Sequence, residues 1–248
     1  MSSNVLELLI QKKDVSSLSI NNKDVKELYI DNKLIFPKEP KKYIELEYIQ
    51  SDSSNKQYIN TGIKPTANYT ISVDFMLTKN TTTWDTIFGT RNGTAGKFTG
   101  RFTARFYNKT GTAGTLGIQR SISSTAAQQS TELSSVTKAN VMDGFHNATF
   151  EKNVFYFDGV AKHTFSAATS TTPFPYEWYL FALNSAGTVS DFGSFKIKLC
   201  TIKDYNGNLV RHFIPCKNLQ GEVGMYDLVN DEFYKSSGSA AFIAGPEV

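Results

Sequence analysis

The stretch YTISVDFML, Tyr69–Leu77, alternates apolar and polar side chains along its length. The apolar residues recur at every second position: Ile71, Val73, Phe75 and Leu77. A period of two is the period of a β-strand, whose successive side chains point to opposite faces. The pattern therefore predicts a strand that buries one face in a core and turns the other face outward.

Similar short runs continue along the chain, separated by Gly and Asn turn signals. They are DTIFGTRNG (Asp85–Gly93), GKFTGRFTARFYN (Gly96–Asn108), HNATFEKNVFYFDGV (His146–Val160) and FKIKLCTIKDYNGNLVRHFIP (Phe195–Pro215). Many short strands with such turns favour an all-β fold, an antiparallel β-sandwich. Ser123–Val136 is the nearest approach to a helix, but its Ser and Thr content is equally compatible with a long polar loop. We expect the surrounding span, Thr110–Asn140, at the edge of the sandwich or as a mobile excursion.

A ten-residue phrase, Asp/Asn-Val-x-x-Leu-x-Ile-x-x-Lys, occurs three times within Asn4–Phe36. Each unit predicts a short strand and a turn, so residues 1–36 form a small N-terminal β-repeat module for attachment or oligomerisation. An accessory sheet packed on the main domain is an alternative, and so is a short amphipathic helix over Val5–Lys12. The segment PKEPKK, residues 37–42, is a linker, and residues 43–248 form the sandwich.

Composition excludes several classes of partner. The net charge is +3, and no basic patch beyond the linker suggests nucleic acid. The sequence contains no run of about 18 apolar residues, so membrane insertion is not predicted. The first residues lack the basic and apolar regions of a secretory signal, so we expect synthesis in the bacterial cytoplasm without a signal peptide.

Two cysteines, Cys200 and Cys216, lie in one predicted hairpin that turns at Asn206-Gly207. Folding it places Cys200 opposite Phe213 and Cys216 opposite Ile197. The sulfur atoms are then about 10 Å apart, which is too far for a disulfide. We expect two reduced, buried thiols.

Four segments resemble known proteins: Tyr43–Pro65, TIFGTRNG (Thr86–Gly93), Phe145–Val160 and, most specifically, Phe195–Val248. They are similar to concanavalin A-like, laminin-G-like jelly-roll domains in phage (prophage) tail or fibre proteins from Gram-positive bacteria. The opening repeats resemble units of phage tail and baseplate proteins. The resemblance implies a jelly-roll sandwich with a binding role, often for glycan. Some relatives bind calcium at the rim, but no Asp/Asn cluster here has the spacing of a calcium shell, so no cofactor is assigned.

The resulting hypothesis is a virion tail or fibre component whose lectin-like sandwich binds a bacterial cell-surface glycan. Its partners would be that glycan, other virion tail proteins and further copies of the chain, with a trimer favoured. A purely structural baseplate or decoration protein is the alternative, and a glycoside hydrolase of the same fold is the second.

Catalysis is not expected. A glycosidase needs two carboxyl groups about 5–10 Å apart, and the nearest pair, Glu45 and Glu47, lies on a predicted edge strand. The three histidines, His146, His163 and His212, lie far apart in the sequence, and no Gly-x-Ser-x-Gly elbow accompanies them. Structural roles for these histidines are favoured.

Sugars bind to aromatic faces and to planar polar groups, so residues of these types near predicted turns and strand faces are candidate ligand contacts. They are Trp84, Asp85, Arg91, Asn92, Arg101, Arg105, Tyr107, Tyr176 and Trp178. Arg101, Arg105 and Tyr107 alternate on one side of a strand whose other side carries phenylalanines, which predicts an outward polar and aromatic ligand face. For Trp178 a place in the core is favoured. For Trp84, Arg91 and Arg101, ligand contact and plain surface exposure are evenly balanced.

Overall fold

The computed structural model describes residues 42–80, 84–93, 99–107 and 114–248, and the backbone of four short strands before them. It divides into two compact units, Met1–Lys42 and Tyr43–Val248. The described strands of the first unit form two antiparallel pairs: β1 Ser19–Ile20 with β2 Lys23–Asp24, and β3 Leu28–Ile30 with β4 Lys33–Phe36. The first copy of the repeat, including the helix alternative over Val5–Lys12, lies outside the described residues.

The second unit is built from strands, with two short 3-10 turns at Ser53–Asn55 and Ala139–Val141. Its strands are β5 Tyr43–Glu45, β6 Ile49–Gln50, β7 Ile59–Asn60, β8 Thr70–Leu77, β9 Asp85–Asn92, β10 Thr99–Phe106, β11 Thr115–Ser121, β12 Gln128–Thr137, β13 His146–Glu151, β14 Val154–Phe157, β15 Val160–Thr164, β16 Tyr179–Leu180, β17 Leu183–Ser185, β18 Thr188–Ser190, β19 Phe195–Lys203, β20 Leu209–Asn218, β21 Val223–Asp227, β22 Glu232–Lys235 and β23 Ile243–Ala244.

These strands form two sheets. The larger sheet has the order β15-β14-β13-β8-β19-β20-β21-β22, with β5 beside β20 and β6 joining β19 to β23. The smaller sheet has the order β12-β11-β10-β9-β16-β7, with β17 beside β9 and β18 beside β17. Apart from β17 along β9, the pairings are antiparallel. The predicted antiparallel β-sandwich is confirmed.

Phe75, on strand β8, joins the two sheets. Its ring centroid lies 5.7 Å from that of Phe195 in its own sheet and 6.2 Å from that of Phe106 in the smaller sheet. Ile71, Val73 and Leu77 on the same side of β8 are also fully buried, so the predicted alternation is confirmed. A second aromatic group centres on Trp178, whose ring lies 4.8 Å from that of Phe102 and whose Nε1 donates to the Phe102 carbonyl at 3.2 Å.

The polar segment Ser123–Val136 is a strand for most of its length, and neither a helix nor one long loop. Gln128–Thr137 is strand β12, which pairs with β11 and forms one edge of the smaller sheet. The expected position at an edge is confirmed. Serine, threonine and glutamine suit this strand because its outer edge and one side of its pleat face water, so a polar sequence without apolar alternation still forms a ladder.

Both cysteines are free and buried, as predicted. Cys200 lies opposite Phe213, but the predicted pairing of Cys216 with Ile197 is wrong. Cys216 pairs with Glu45 of β5 and Ile197 with Ile49 of β6, because β19 and β20 separate there and the two short strands take their places. Burial, and next the charge of Glu45, raises the pKa of Cys216 to about 12, so its thiol stays protonated at neutral pH.

Replacement of Phe75 tests the joint between the sheets. We expect Phe75→Ala to lower the free energy of unfolding by about 3–5 kcal/mol, because it leaves a cavity between packed rings. Urea unfolding followed by circular dichroism measures the change. Val160→Ala, at a side chain that is 56% exposed, should stay within about 0.5 kcal/mol of the parent. Equal effects of the two substitutions would contradict this role of Phe75.

Candidate ligand-binding site

Strand β10 turns its two sides to different surroundings. Phe102, Ala104 and Phe106 enter the core, and Arg101 and Arg105 lie on the outer side of the smaller sheet. The outer side is nevertheless closed: Arg101 is 1% exposed and Arg105 6% exposed. The alternation was predicted correctly, but the prediction that these arginines form an open ligand face is wrong.

Residues of the β17–β18 hairpin and the turn after it close this face. A methyl group of Leu183 lies 2.9 Å from the position that a Cβ atom at Gly89 would take, so glycine makes room for it. Arg105 Nη1 donates to Asp191 Oδ2 at 2.5 Å. Arg91 Nε donates to Ser185 Oγ at 2.7 Å. These contacts hold the arginines against the sheet.

Trp84 precedes β9 and reaches solvent, with a relative exposure of 37%. The Arg105 guanidinium carbon lies 4.0 Å from the centroid of the indole ring. The Tyr107 ring meets the indole nearly edge-on, at 75° and 4.6 Å. We call Trp84, Arg105, Tyr107 and Asp191 the Trp84 platform. It is an aromatic surface held from within by a cation and a second ring.

Two residues of strand β11 fix the tyrosine of the platform. Gln119 Nε2 donates to the Tyr107 hydroxyl. At Gly117 a Cβ atom would lie 1.5 Å from Tyr107 Cε2, so the ring lies directly over this glycine. Gln119 and Gly117 were not identified from the sequence, and neither was Asp191. A lone Gly or Gln in a strand gives no local signal, because its partner is distant along the chain.

The charges of this region are predominantly positive and shielded from water. Burial, and next the nearby charge of Arg105, lowers the pKa of Arg101 to about 9. Burial also lowers the pKa of Arg105, and Asp191 opposes this effect. Arg101 donates to Thr103 Oγ1 at 3.2 Å and to Gln128 Oε1 at 3.0 Å. The buried Arg105 Nε has no hydrogen-bond partner among the described residues.

Two of the predicted ligand residues lie in the interior of the protein. Asp85 is fully buried and accepts from Lys138 Nζ at 2.5 Å, so it neutralises a buried cation and is not available to a ligand. Trp178 is fully buried in the core, which is the position that the sequence favoured. The prediction that Asp85 and Trp178 contact a ligand is therefore wrong.

Arg91, Asn92 and Tyr176 lie at the other end of β9 from Trp84. Arg91 lies seven positions after Trp84, which is about 23 Å along a strand. The Tyr176 carbonyl accepts from Thr90 Oγ1 at 3.1 Å, which places this residue beside Arg91. The predicted residues therefore form two separate groups, one near each end of β9.

The histidines lie apart on the larger sheet. The His146 ring nitrogens contact Asp158 at 2.8 Å and Asp143 at 3.3 Å. His163 packs edge-on against Phe165, and the backbone N–H of His212 donates to Asp227. No group of three His, Cys, Asp or Glu side chains in the described parts of the chain could hold a metal ion. Within the same parts, no helix has the length and apolar character to cross a membrane.

Comparison with known proteins gives only remote similarity. No family model and no curated protein matches the chain. One similar solved structure is the CBM40 of the Ruminococcus gnavus IT-sialidase bound to α2,3 sialyllactose, with 15% identity over 63% of this chain and 89% of that one, at a TM-score of 0.38. Another is tailspike protein 2 of Escherichia coli O157:H7 bacteriophage CAB120, with 10% identity over 70% of this chain and 29% of that one, at 0.42. At such low values we assign neither a family nor a ligand from them.

Substitution of Gly117 tests whether this glycine fixes the position of the Tyr107 ring in the Trp84 platform. We expect Gly117→Ala to destabilise the protein by about 1–3 kcal/mol and to change the near-ultraviolet circular dichroism, because the added methyl group displaces the Tyr107 ring. Gly144→Ala is the matched control, since nothing lies within 4 Å of its Cβ position. A neutral Gly117→Ala variant would show that the ring is not fixed there.

The two carboxylates around His146 predict that the free energy of unfolding depends on pH. Burial acts to lower its pKa, but hydrogen bonds and charges of Asp158 and Asp143 outweigh burial and raise it. The protonated ring therefore stabilises the folded state fully below the unfolded pKa of about 6.5, and this stabilisation is lost as the pH rises through the folded pKa. We expect His146→Gln to be more destabilising at about pH 5 than at about pH 9 in urea unfolding. His163→Gln is the control, and a pH-independent effect of His146→Gln would oppose this assignment.

Proposed function

We propose that the chain is a non-catalytic glycan-binding protein whose sandwich binds a bacterial cell-surface glycan at the Trp84 platform. The observation that carries the proposal is an exposed indole whose inner side is held by Arg105 at 4.0 Å. An indole provides a flat apolar surface for the C–H side of a sugar ring, and its N–H can donate to a hydroxyl group. A ring that is already fixed loses little conformational entropy when a ligand binds.

The absence of catalysis is part of the proposal. Glu45 belongs to β5 and pairs with Cys216, while the backbone N–H of exposed Glu47 donates to the Pro246 carbonyl. Both carboxyl groups belong to the entry segment of the larger sheet, whereas the Trp84 platform belongs to the smaller sheet. Polysaccharide hydrolysis that disappears in Glu47→Gln would overturn this part.

A role in a phage virion tail or fibre is proposed from the first unit. Its described hairpins have strands of two to four residues, which are too short to be stable without neighbouring structure. Other tail proteins, or further copies of this chain in a trimer, would supply that structure. Self-association would also raise the avidity of sugar sites that are individually weak.

A purely structural baseplate or decoration protein is the second candidate. It is favoured by the closure of the arginine face, where Arg101 and Arg105 are held by protein groups. The two candidates differ in the function of Trp84, because a structural protein would not need an exposed indole for attachment to cells.

Trp84→Ala separates the two candidates. We expect it to lower retention on arrays of bacterial-surface glycans by about tenfold or more, since an anchoring aromatic ring is lost. Tyr48→Ala is the matched control, because Tyr48 also has a cation over its ring, Lys196 Nζ at 4.3 Å, but belongs to the other sheet. Unchanged glycan retention by Trp84→Ala, or blank arrays for the parent, would favour the structural candidate.

A further inference from the structure

A polar cleft of about 420 Å³ lies on the larger sheet, on the side away from the core. Its volume is within the range of ligand sites, roughly 300–1,000 Å³. The floor is formed where β13, β8 and β19 run side by side, and the turns after β13 and β19 form its walls. None of its lining residues was selected from the sequence as a candidate.

The floor of the cleft is lined by hydroxyl groups. Thr149 lies directly opposite Ser72, and Ser72 lies directly opposite Thr201. Thr70, two residues from Ser72 on β8, adds a fourth hydroxyl group. Three neighbouring strands span about 10 Å, so these groups cover an area comparable to one sugar ring. Among the described residues, Thr70 and Thr201 have no partner for their hydroxyl groups.

Hydrogen bonds fix the other two hydroxyl groups. Asn147 Nδ2 donates to Ser72 Oγ at 2.9 Å and to Asp74 Oδ1 at 2.6 Å. Thr149 Oγ1 lies 2.7 Å from Asn147 Oδ1 and 2.6 Å from Ser72 Oγ. When Thr149 donates to Asn147 and Ser72 donates to Thr149, both hydroxyl hydrogens are used within the network. Each oxygen then keeps one lone pair for a donor in the cleft.

One wall of the cleft is aromatic and belongs to a turn whose backbone is held by hydrogen bonds. Tyr205 is 47% exposed and lines the cleft beside Asn206 and Gly207. The turn is held by Asp204 Oδ1, which accepts from the backbone N–H groups of Asn206 and Asn208, both at 2.9 Å. Gly207 has a φ of +88°, a backbone conformation that favours glycine.

The charges around the cleft balance. Lys152 and Lys203 contribute two positive charges, and Glu151 and Asp204 contribute two negative charges. A strongly charged ligand would therefore gain little, whereas a ligand rich in hydroxyl groups finds both donors and acceptors.

We propose that this cleft is a second carbohydrate site, which takes an uncharged pyranose unit. Hydroxyl groups of the sugar donate to Ser72 and Thr149 and exchange hydrogen bonds with Thr70 and Thr201, and its C–H side packs on Tyr205. The site lies on the opposite sheet from the Trp84 platform and does not rest on the function proposed for that platform. A sandwich with both sites would bind two glycan segments at once.

A titration by amide NMR tests the cleft, with maltotriose, cellotriose and chitotriose as uncharged probes. We expect at least one probe to shift the amides of the floor strands and of the Tyr205 turn. Tyr205→Ala should weaken that binding by about tenfold, and Thr201→Val, which preserves shape and removes only a hydroxyl group, by about three- to tenfold. Tyr48→Ala and Thr188→Val are the matched controls.

The outcomes separate the two proposals. Trp84→Ala should leave the shifts that the trioses cause at the cleft unchanged. No shift at the cleft with any of the three probes would overturn the second site. Equal affinity of the parent, Tyr205→Ala and Thr201→Val would overturn it as well, while the function proposed for the Trp84 platform would stand on its own array experiment.

Discussion

The contact between Phe75 and Phe106 across the sandwich is the interaction on which the rest of the structure depends. It requires β8 and β10 to turn the apolar sides of their pleats toward each other, and the other side of each strand then faces away from the core. On β10 the outer side carries Arg101 and Arg105. On β8 it carries Ser72, in the floor of the cleft. Both candidate sites are therefore consequences of how the core is packed.

Much of this arrangement could be predicted from the sequence, because side-chain alternation is a local property. The buried side of β8 and the pairing of Cys200 with Phe213 were predicted from spacing alone. The partner of Cys216 could not be predicted, since it depends on β5, about 170 residues earlier in the chain. Strand β12 was missed because an edge strand is specified by its neighbour and needs no apolar pattern of its own.

The candidate sites show the same limit. Sequence alternation placed Arg101 and Arg105 on one side of β10, but Leu183 and Asp191, which close that side, come from a distant hairpin. Trp84 and Arg91, which flank a predicted strand in the sequence, lie at opposite ends of β9 and do not share one site. The hydroxyl groups of the cleft come from three strands that are distant in sequence, and a single Ser or Thr in a strand is typical of any solvated face.

The buried ion pair of Lys138 and Asp85 has an evolutionary consequence. Asp85 directly follows Trp84 in the chain, and Lys138 follows the last residue of the edge strand β12, so the pair joins the edge of the sheet to the exposed indole. Losing one buried charge alone costs several kcal/mol, whereas exchanging both for apolar residues is often tolerated. Descendants of this sequence should therefore keep both residues or replace both, although the two lie some fifty positions apart in the chain.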